Sequence, residues 1–149
     1  MSGRSFAGRY DVKFDSKQHR ASVPIELRAI LGETFIISKP AVSEKCLFAY
    51  TSEYWGQLLE EVSEKSSTAN ARRHQRALGA NSKIVSTDKQ GRVTIPEFLC
   101  SKVDLEDIDK VLFIGAGRRI EIWNPECFEE EMARIESLED EEEELDYHF

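Results

Sequence analysis

Asp15-Ser-Lys-Gln-His-Arg20-Ala-Ser-Val-Pro24 and, further along, Asp88-Lys-Gln-Gly-Arg92-Val-Thr-Ile-Pro96 are the two stretches that decide how this chain folds. Each opens on an aspartate and passes through a polar turn to an arginine. Each then runs through an extended triplet to a proline. An aspartate at a turn start accepts nearby backbone N–H bonds and fixes the turn. A proline has no N–H to give to a strand ladder and ends the strand. Arg20 and Arg92 are 72 positions apart, and so are Pro24 and Pro96. One offset shared by several features implies duplication rather than chance.

The flanking sequence extends the repeat. Upstream of the first turn, Tyr10, Val12 and Phe14 alternate with Arg9, Asp11 and Lys13, which predicts a half-buried strand over Gly8–Phe14. Downstream, Ile25, Leu27, Ile30 and Leu31 have helical spacing and Gly32 closes the run. Phe35–Ile37 and Cys46–Tyr50 read as strands. Thr51 or Ser52 then caps a helix to about Ser63, with Tyr54, Trp55, Leu58, Leu59 and Val62 as its apolar stripe. The second copy predicts strands at Lys83–Thr87 and Arg92–Ile95, and one or two helical turns within Glu97–Val103. Strands Val111–Ile114 and Ile120–Trp123 follow, joined by a tight loop over Gly115–Arg119. Asn124 caps a last helix with Pro125 at its first position, and Phe128, Met132 and Ile135 form its apolar face. Between the copies, Ser63–Thr68 reads as a polar linker and Ala69–Leu78 as a helix carrying Arg72, Arg73 and Arg76.

Composition bounds the class of protein. Of 149 residues 40% are hydrophobic, enough for a globular core. No run approaches the ~20 apolar residues of a membrane-spanning helix. Met1–Tyr10 lacks the apolar stretch of a signal peptide, so a soluble, cytoplasmic protein is expected. Cys46, Cys100 and Cys127 are odd in number and far apart, which argues for reduced thiols rather than a disulfide framework or zinc cage. His19, His74 and His148 form no metal-ligand pair. The net charge of -8 argues against nucleic acid until it is divided. Glu126–Phe149 holds twelve acids and one base, a net −11, which leaves +3 on residues 1–125. The body is mildly basic and the end is an acidic tail, expected to be disordered over Asp140–Phe149. That tail reads as a solubilising extension, or as a competitor with DNA for the basic face.

The turns are where chemistry is expected. An arginine held by a neighbouring aspartate offers a preorganised fork to a phosphate or a guanine edge. A two-stranded ribbon is narrow enough to enter the major groove. Ordinary solvated hairpins also use Asp, Lys, Gln, Gly and Arg. Two copies at one offset, with the proline spacing kept, favour the functional reading.

Taken together, these turns, Gly8-Arg-Tyr-Asp-Val-Lys, Ala71-Arg-Arg-His-Gln-Arg and Gly115-Ala-Gly-Arg-Arg-Ile-Glu-Ile-Trp123 resemble the MraZ family of bacterial regulators, over about Phe6 to Leu138. The resemblance implies an α+β, β-rich fold. Two tandem swapped-hairpin modules, of the kind shared with the AbrB group, would form one pseudo-twofold unit with flanking helices. The modules are expected over residues 6–62 and 82–138, with an Arg-rich linker helix in 63–81 and the tail in 139–149. It further implies a nucleoid-associated homo-oligomeric ring. Such a ring would bind double-stranded DNA at direct repeats upstream of the cell-division and wall-synthesis operon. The DNA-contacting residues it implies are Asp15, Lys17 and Arg20 in the first turn and Asp88, Lys89 and Arg92 in the second. The first turn departs from the pattern by one residue, Gln18-His19 standing where a single small residue belongs. His19 has the expected spacing from Asp15, whereas Arg20 keeps the spacing to Pro24. Strand register selects Arg20, with the extra residue expected as a bulge.

Other readings stay open at this point. An antitoxin-like protein-interaction module and a nonspecific nucleoid DNA binder use the same kind of fold. An enzyme ranks last, because no nucleophile shows a spaced base and orienting partner. No cofactor, metal or small-molecule ligand is expected. Gly115-Ala-Gly117 starts like a dinucleotide fingerprint but lacks the third glycine and joins strand to strand. Arg118-Arg119 reads as a solvated hairpin tip, and Trp55 and Trp123 as core residues. Arg72, Arg73 and Arg76 suit phosphates, a neighbouring subunit or a solvated face equally.

Overall fold

The computed structural model describes residues 5–65 and 68–141. Its first half contains β1 (Phe6–Asp15), β2 (Arg20–Ser22), α1 (Ile25–Leu31), β3 (Thr34–Ser38), β4 (Cys46–Thr51) and α2 (Ser52–Lys65). The helix α3 (Thr68–Ala80) follows. The second half repeats the order as β5 (Ser82–Ser86), β6 (Arg92–Thr94), α4 (Glu97–Cys100), β7 (Lys110–Gly117), β8 (Arg119–Trp123) and α5 (Pro125–Glu141). The fold is α+β and β-rich, as the family resemblance implies.

The halves exchange strands. β1 finds its long antiparallel ladder on β7 of the other half, from Phe6 opposite Gly117 to Lys13 opposite Lys110. Reciprocally, β5 pairs with β3, from Thr34 opposite Ser86 to Ser38 opposite Ser82. β4 joins β8, and β2 joins β6. The result is one sheet in the order β5-β3-β4-β8-β7-β1-β2-β6. Its end strands, β5 and β6, are consecutive in the chain, so the sheet nearly closes on itself. Symmetric backbone bonds mark the pseudo-twofold. Val23 N donates to Gly91 O at 2.9 Å and Ile95 N donates to His19 O at 2.7 Å. Both donors and both acceptors are related by the 72-residue offset.

The enclosed face carries the core. Phe14, Phe35, Ile37, Leu47, Val93, Ile95, Leu99, Phe113 and Ile122 meet there from both halves. Burying each such side chain stabilises the fold by about 1.5–3 kcal/mol, and here the gain exists only when both halves are present. The short helices α1 and α4 start after Pro24 and Pro96, which share nearly the same geometry (φ −53, ψ 138 and φ −55, ψ 135). They send Leu27, Leu31, Leu99 and Cys100 into this core. On the outer face, α5 lays Phe128 against Trp123 at 5.6 Å, over Cys46 and Leu112. The α2 counterpart lays Trp55 and Tyr54 against Tyr50, each at 5.8 Å. The helix caps are as expected: Thr51 Oγ1 accepts from Tyr54 N, and Asn124 Oδ1 accepts from Glu126 N.

Four local expectations change. Gly115–Arg119 is not a loop: β7 continues through Gly115 to Gly117, and the chain reverses at Gly117-Arg118. The reason is close backbone approach. Gly115 lies opposite Gly8 on β1, and a Cβ at Gly115 would fall 2.3 Å from Ala7 N. The tip is not simply solvated either. Arg119 bonds Glu121 and lies 4.5 Å over the ring of Phe48 on β4, and Arg118 lies 5.1 Å over the ring of Tyr54 on α2. The stretch read as a linker is helical to Lys65 and again from Thr68, with residues 66 and 67 outside the described residues. The acidic tail is helical to Glu141; its remainder, 142–149, lies outside the described residues, and with it most of the expected disorder.

All three cysteines are free; Cys46 and Cys100 are buried. Desolvation pushes both thiols up to about 12, so they are protonated and unreactive at neutral pH. Among the described residues no helix is long and apolar enough to cross a membrane, and no cluster of His, Cys, Asp and Glu could hold a metal.

Because the core is shared, residues 1–77 or 78–149 expressed alone are expected to give no cooperative thermal transition as monomers, whereas the two mixed should recover one. Gly115→Val forces a side chain into the β1 backbone. It should cost about 1–3 kcal/mol in chemical denaturation, the usual range for overpacking.

Candidate nucleic-acid interface

The repeated turns meet at one place, on either side of the β2–β6 pair. Arg20 lies opposite Thr94, Ala21 opposite Val93 and Ser22 opposite Arg92. Directly paired residues share a face, and so do residues two apart on a strand. Ala21 and Val93 are buried, so Arg20, Ser22, Arg92 and Thr94 all face outward. The arginines therefore sit at opposite corners of a small square, with hydroxyls at the other two. Their separation is roughly 7 Å along the strands and 5 Å across them, from strand geometry. That diagonal fits within one major groove, about 12 Å wide.

A shallow cavity of about 350 Å³ borders this square, lined by Lys13, Phe14, Asp15, Arg20, Ala21, Ser22 and Arg92. Arg20 and Arg92 are thus on one surface, together with exposed Lys13. Lys17 and Lys89 are exposed on the two turns at opposite ends of the strand pair. All six residues singled out from sequence lie on this turn–ladder–turn unit.

The second turn is tightly built. Asp88 Oδ1 accepts from the backbone N–H groups of Gln90 and Arg92, each at 2.9 Å. Asp88 Oδ2 accepts from Arg92 Nε at 2.8 Å. The guanidinium edge bearing Nη1 and Nη2 is left for a ligand. The backbone N–H of Arg92 is the largest influence holding the Asp88 carboxyl below its usual value; desolvation opposes it, and the Arg92 side chain and Gln90 N–H add to the lowering. A depressed carboxylate contributes its stabilisation above its unfolded pKa and loses it as pH falls through the folded value. The pair therefore stays intact across the neutral range and fails only under acid below the ordinary carboxylate range. Glycine is favoured here: the φ of Gly91 is 79°, and a Cβ would fall 1.5 Å from Arg28 Nη1 and displace that guanidinium.

The first turn carries its extra residue differently from expectation. β1 pairs directly with β2, Phe14 opposite Ala21 and Asp15 opposite Arg20, without a bulge. The additional residue is absorbed inside the turn, where His19 takes a left-handed φ of 55° at the place Gly91 holds in the second turn. Asp15 Oδ1 accepts from Lys17 N at 3.0 Å and Gln18 N at 3.3 Å, and no ion pair joins Asp15 to Arg20. Arg20, not His19, occupies the register equivalent to Arg92.

Sequence reading missed Lys13, Ser22 and Thr94. Their alternation with buried neighbours was visible, but the pairing of β2 with a strand of the other half was not. On α3, Arg72, Arg73 and Arg76 are exposed, and Arg73 bonds Asn70 rather than an acid.

Comparison with known proteins places this geometry. Two copies of a family model described as "MraZ protein, putative antitoxin-like" match residues 5–77 and 78–148. Among curated relatives, the transcriptional regulator MraZ of Dictyoglomus turgidum is 42% identical over 127 residues, 84% of this chain and 83% of that protein. The protein of the same name from Dictyoglomus thermophilum is 38% identical over 126 residues, 84% of this chain and 83% of that protein. That of Heliobacterium modesticaldum is 38% identical over 122 residues, covering 81% and 82%.

Replacing Asp88 by Asn should leave the thermal midpoint nearly unchanged, since the carboxylate is solvent-exposed. Arg92 should then lose its fixed orientation, read as a broadened Nε–H resonance with faster solvent exchange. An unaltered Arg92 signal would show that Asp88 does not hold it.

Proposed function

The chain belongs to the MraZ family, and we propose that it acts as a DNA-binding transcriptional regulator presenting the Asp15–Arg20 and Asp88–Arg92 turns to double-stranded DNA. The observation that carries this reading is the outward square of Arg20, Ser22, Arg92 and Thr94 on the β2–β6 pair. Its arginines can reach guanine edges or phosphates, and its hydroxyls can donate to phosphate oxygens. Lys17 and Lys89 on the flanking turns add positive charge to the footprint. The ladder is rigid because Ala21 and Val93 anchor it in the core.

The finer reading follows from the size of this footprint. One unit neutralises few phosphates and binds weakly alone. We propose that several copies assemble as a ring and engage successive direct repeats, so that avidity replaces contact area. The target is the DNA upstream of the cell-division and wall-synthesis operon, and the protein works in the cytoplasm on the nucleoid. The functional modules are residues 6–62 and 82–138, joined through the arginine-bearing α3. An antitoxin-like role would use the same fold with its tail as the partner-binding segment, and would appear as a co-purifying toxin.

The test is fluorescence anisotropy on duplexes from upstream of this protein's own gene, native or with scrambled repeats, at about 50 and 200 mM salt, a range over which phosphate-driven binding weakens strongly. Wild type should prefer the native repeats. The Arg20→Ala/Arg92→Ala double variant should stay folded and lose that binding; a double variant that binds like wild type would overturn the assignment. Removal of the acidic end after Leu138 should tighten binding severalfold, and unchanged affinity would show that the end does not compete with DNA.

A further inference from the structure

The two turns share a register but not a construction, and the difference comes from across the module boundary. In the antiparallel β2–β6 pair, the chain leaving β2 runs toward the second turn, and Val23 N bonds Gly91 O. Helix α1 therefore lies beside the turn of the other module. Its Arg28 guanidinium packs onto Gly91, the residue immediately before Arg92, so closely that an added Cβ would sit 1.5 Å from Nη1 and 2.5 Å from Cζ. Arg28 is half-buried and has no ion pair among the described residues. Its positive charge is delivered next to a turn that already carries Lys89 and Arg92.

The first turn has no such support. The position 72 residues after Arg28 is Cys100, which is fully buried and donates its thiol toward Ile95 O. The first turn also lacks the arginine–aspartate fork: Asp15 Oδ1 accepts from Lys17 N and Gln18 N, and no ion pair joins Asp15 to Arg20. One turn is therefore locked by Asp88 and braced by Arg28, and the other holds Arg20 without either.

We propose that the two turns are unequal partners in one DNA contact: the second, braced by Arg28 of the first module, reads base edges, and the first grips phosphate. Base reading needs a fixed fork, because a wrong angle forfeits the bidentate pair. Phosphate contact tolerates a mobile cation. The bound DNA is then read with a direction, one half-site strict and the other lax. Arg28 is a positioning residue that also contributes one charge.

This inference rests on the DNA-binding reading, so wild-type preference for the native repeat is measured first. If that preference is absent, both fall together. Given it, each base pair of one repeat is substituted in turn and binding compared for wild type, Arg92→Ala, Arg20→Ala and Arg28→Met. Methionine keeps the packing over Gly91 without the charge. Arg92→Ala should flatten discrimination at one cluster of positions. Arg20→Ala should weaken all duplexes by a similar factor and lower the salt slope by about one. Arg28→Met should lower the salt slope likewise and reduce discrimination at the Arg92 positions, while Arg28→Lys restores the slope. Should Arg28→Met fail to fold, Arg28→Gln makes the same comparison. Discrimination lost equally in Arg20→Ala and Arg92→Ala would overturn the inequality. An Arg28→Met protein with wild-type slope and discrimination would reduce Arg28 to packing alone.

Discussion

The exchange of first strands between the two halves is the constraint on which everything else rests. β1 completes its ladder on β7, and β5 completes its ladder on β3. Each of these ladders crosses between the halves, and the core beneath them draws side chains from both, so each half depends on the other for its sheet and its core. The same exchange brings β2 and β6 side by side, and with them the two arginine-bearing turns. A surface that spans both copies thus follows from that exchange.

Duplication makes such a site inexpensive to evolve and also easy to unbalance. With both halves identical, the square of Arg20, Ser22, Arg92 and Thr94 would be symmetric. The first turn, longer by one residue, keeps the carboxylate-to-backbone bonds but has no counterpart of the Asp88–Arg92 ion pair. The inserted position is tolerated because His19 adopts a left-handed conformation and leaves the β2 register untouched. Strand register is held by the Ala21–Val93 pair in the core, where a slip would expose apolar side chains, so the length change is confined to the solvated turn.

Charge is organised on the same principle of separation. The acidic excess of the sequence begins in α5, which lies on the outer side of the sheet, where Glu129 meets Arg9 at 3.1 Å. The β2–β6 surface keeps its own positive residues. A single overall net charge therefore describes neither region, and the local distribution governs whether phosphate can approach.

Much of this was legible in the sequence. Alternation located β1, helical spacing located α1 and α2, and the 72-residue offset located both turns and both prolines. These are short-range signals, carried by residues within a few positions of one another. The tertiary structure decided what short range cannot carry: which strand pairs with which, why Gly115 belongs to a strand, and that Arg28 of one half lies on Gly91 of the other. It also decided that Asp88 holds Arg92 while Asp15 does not hold Arg20. Two aspartates that look alike in sequence both bond their own turn through Oδ1, and they differ in the second oxygen: Asp88 Oδ2 meets Arg92 Nε, whereas no ion pair joins Asp15 to Arg20. Whether the arginine comes within reach is set by the three-dimensional path of the turn.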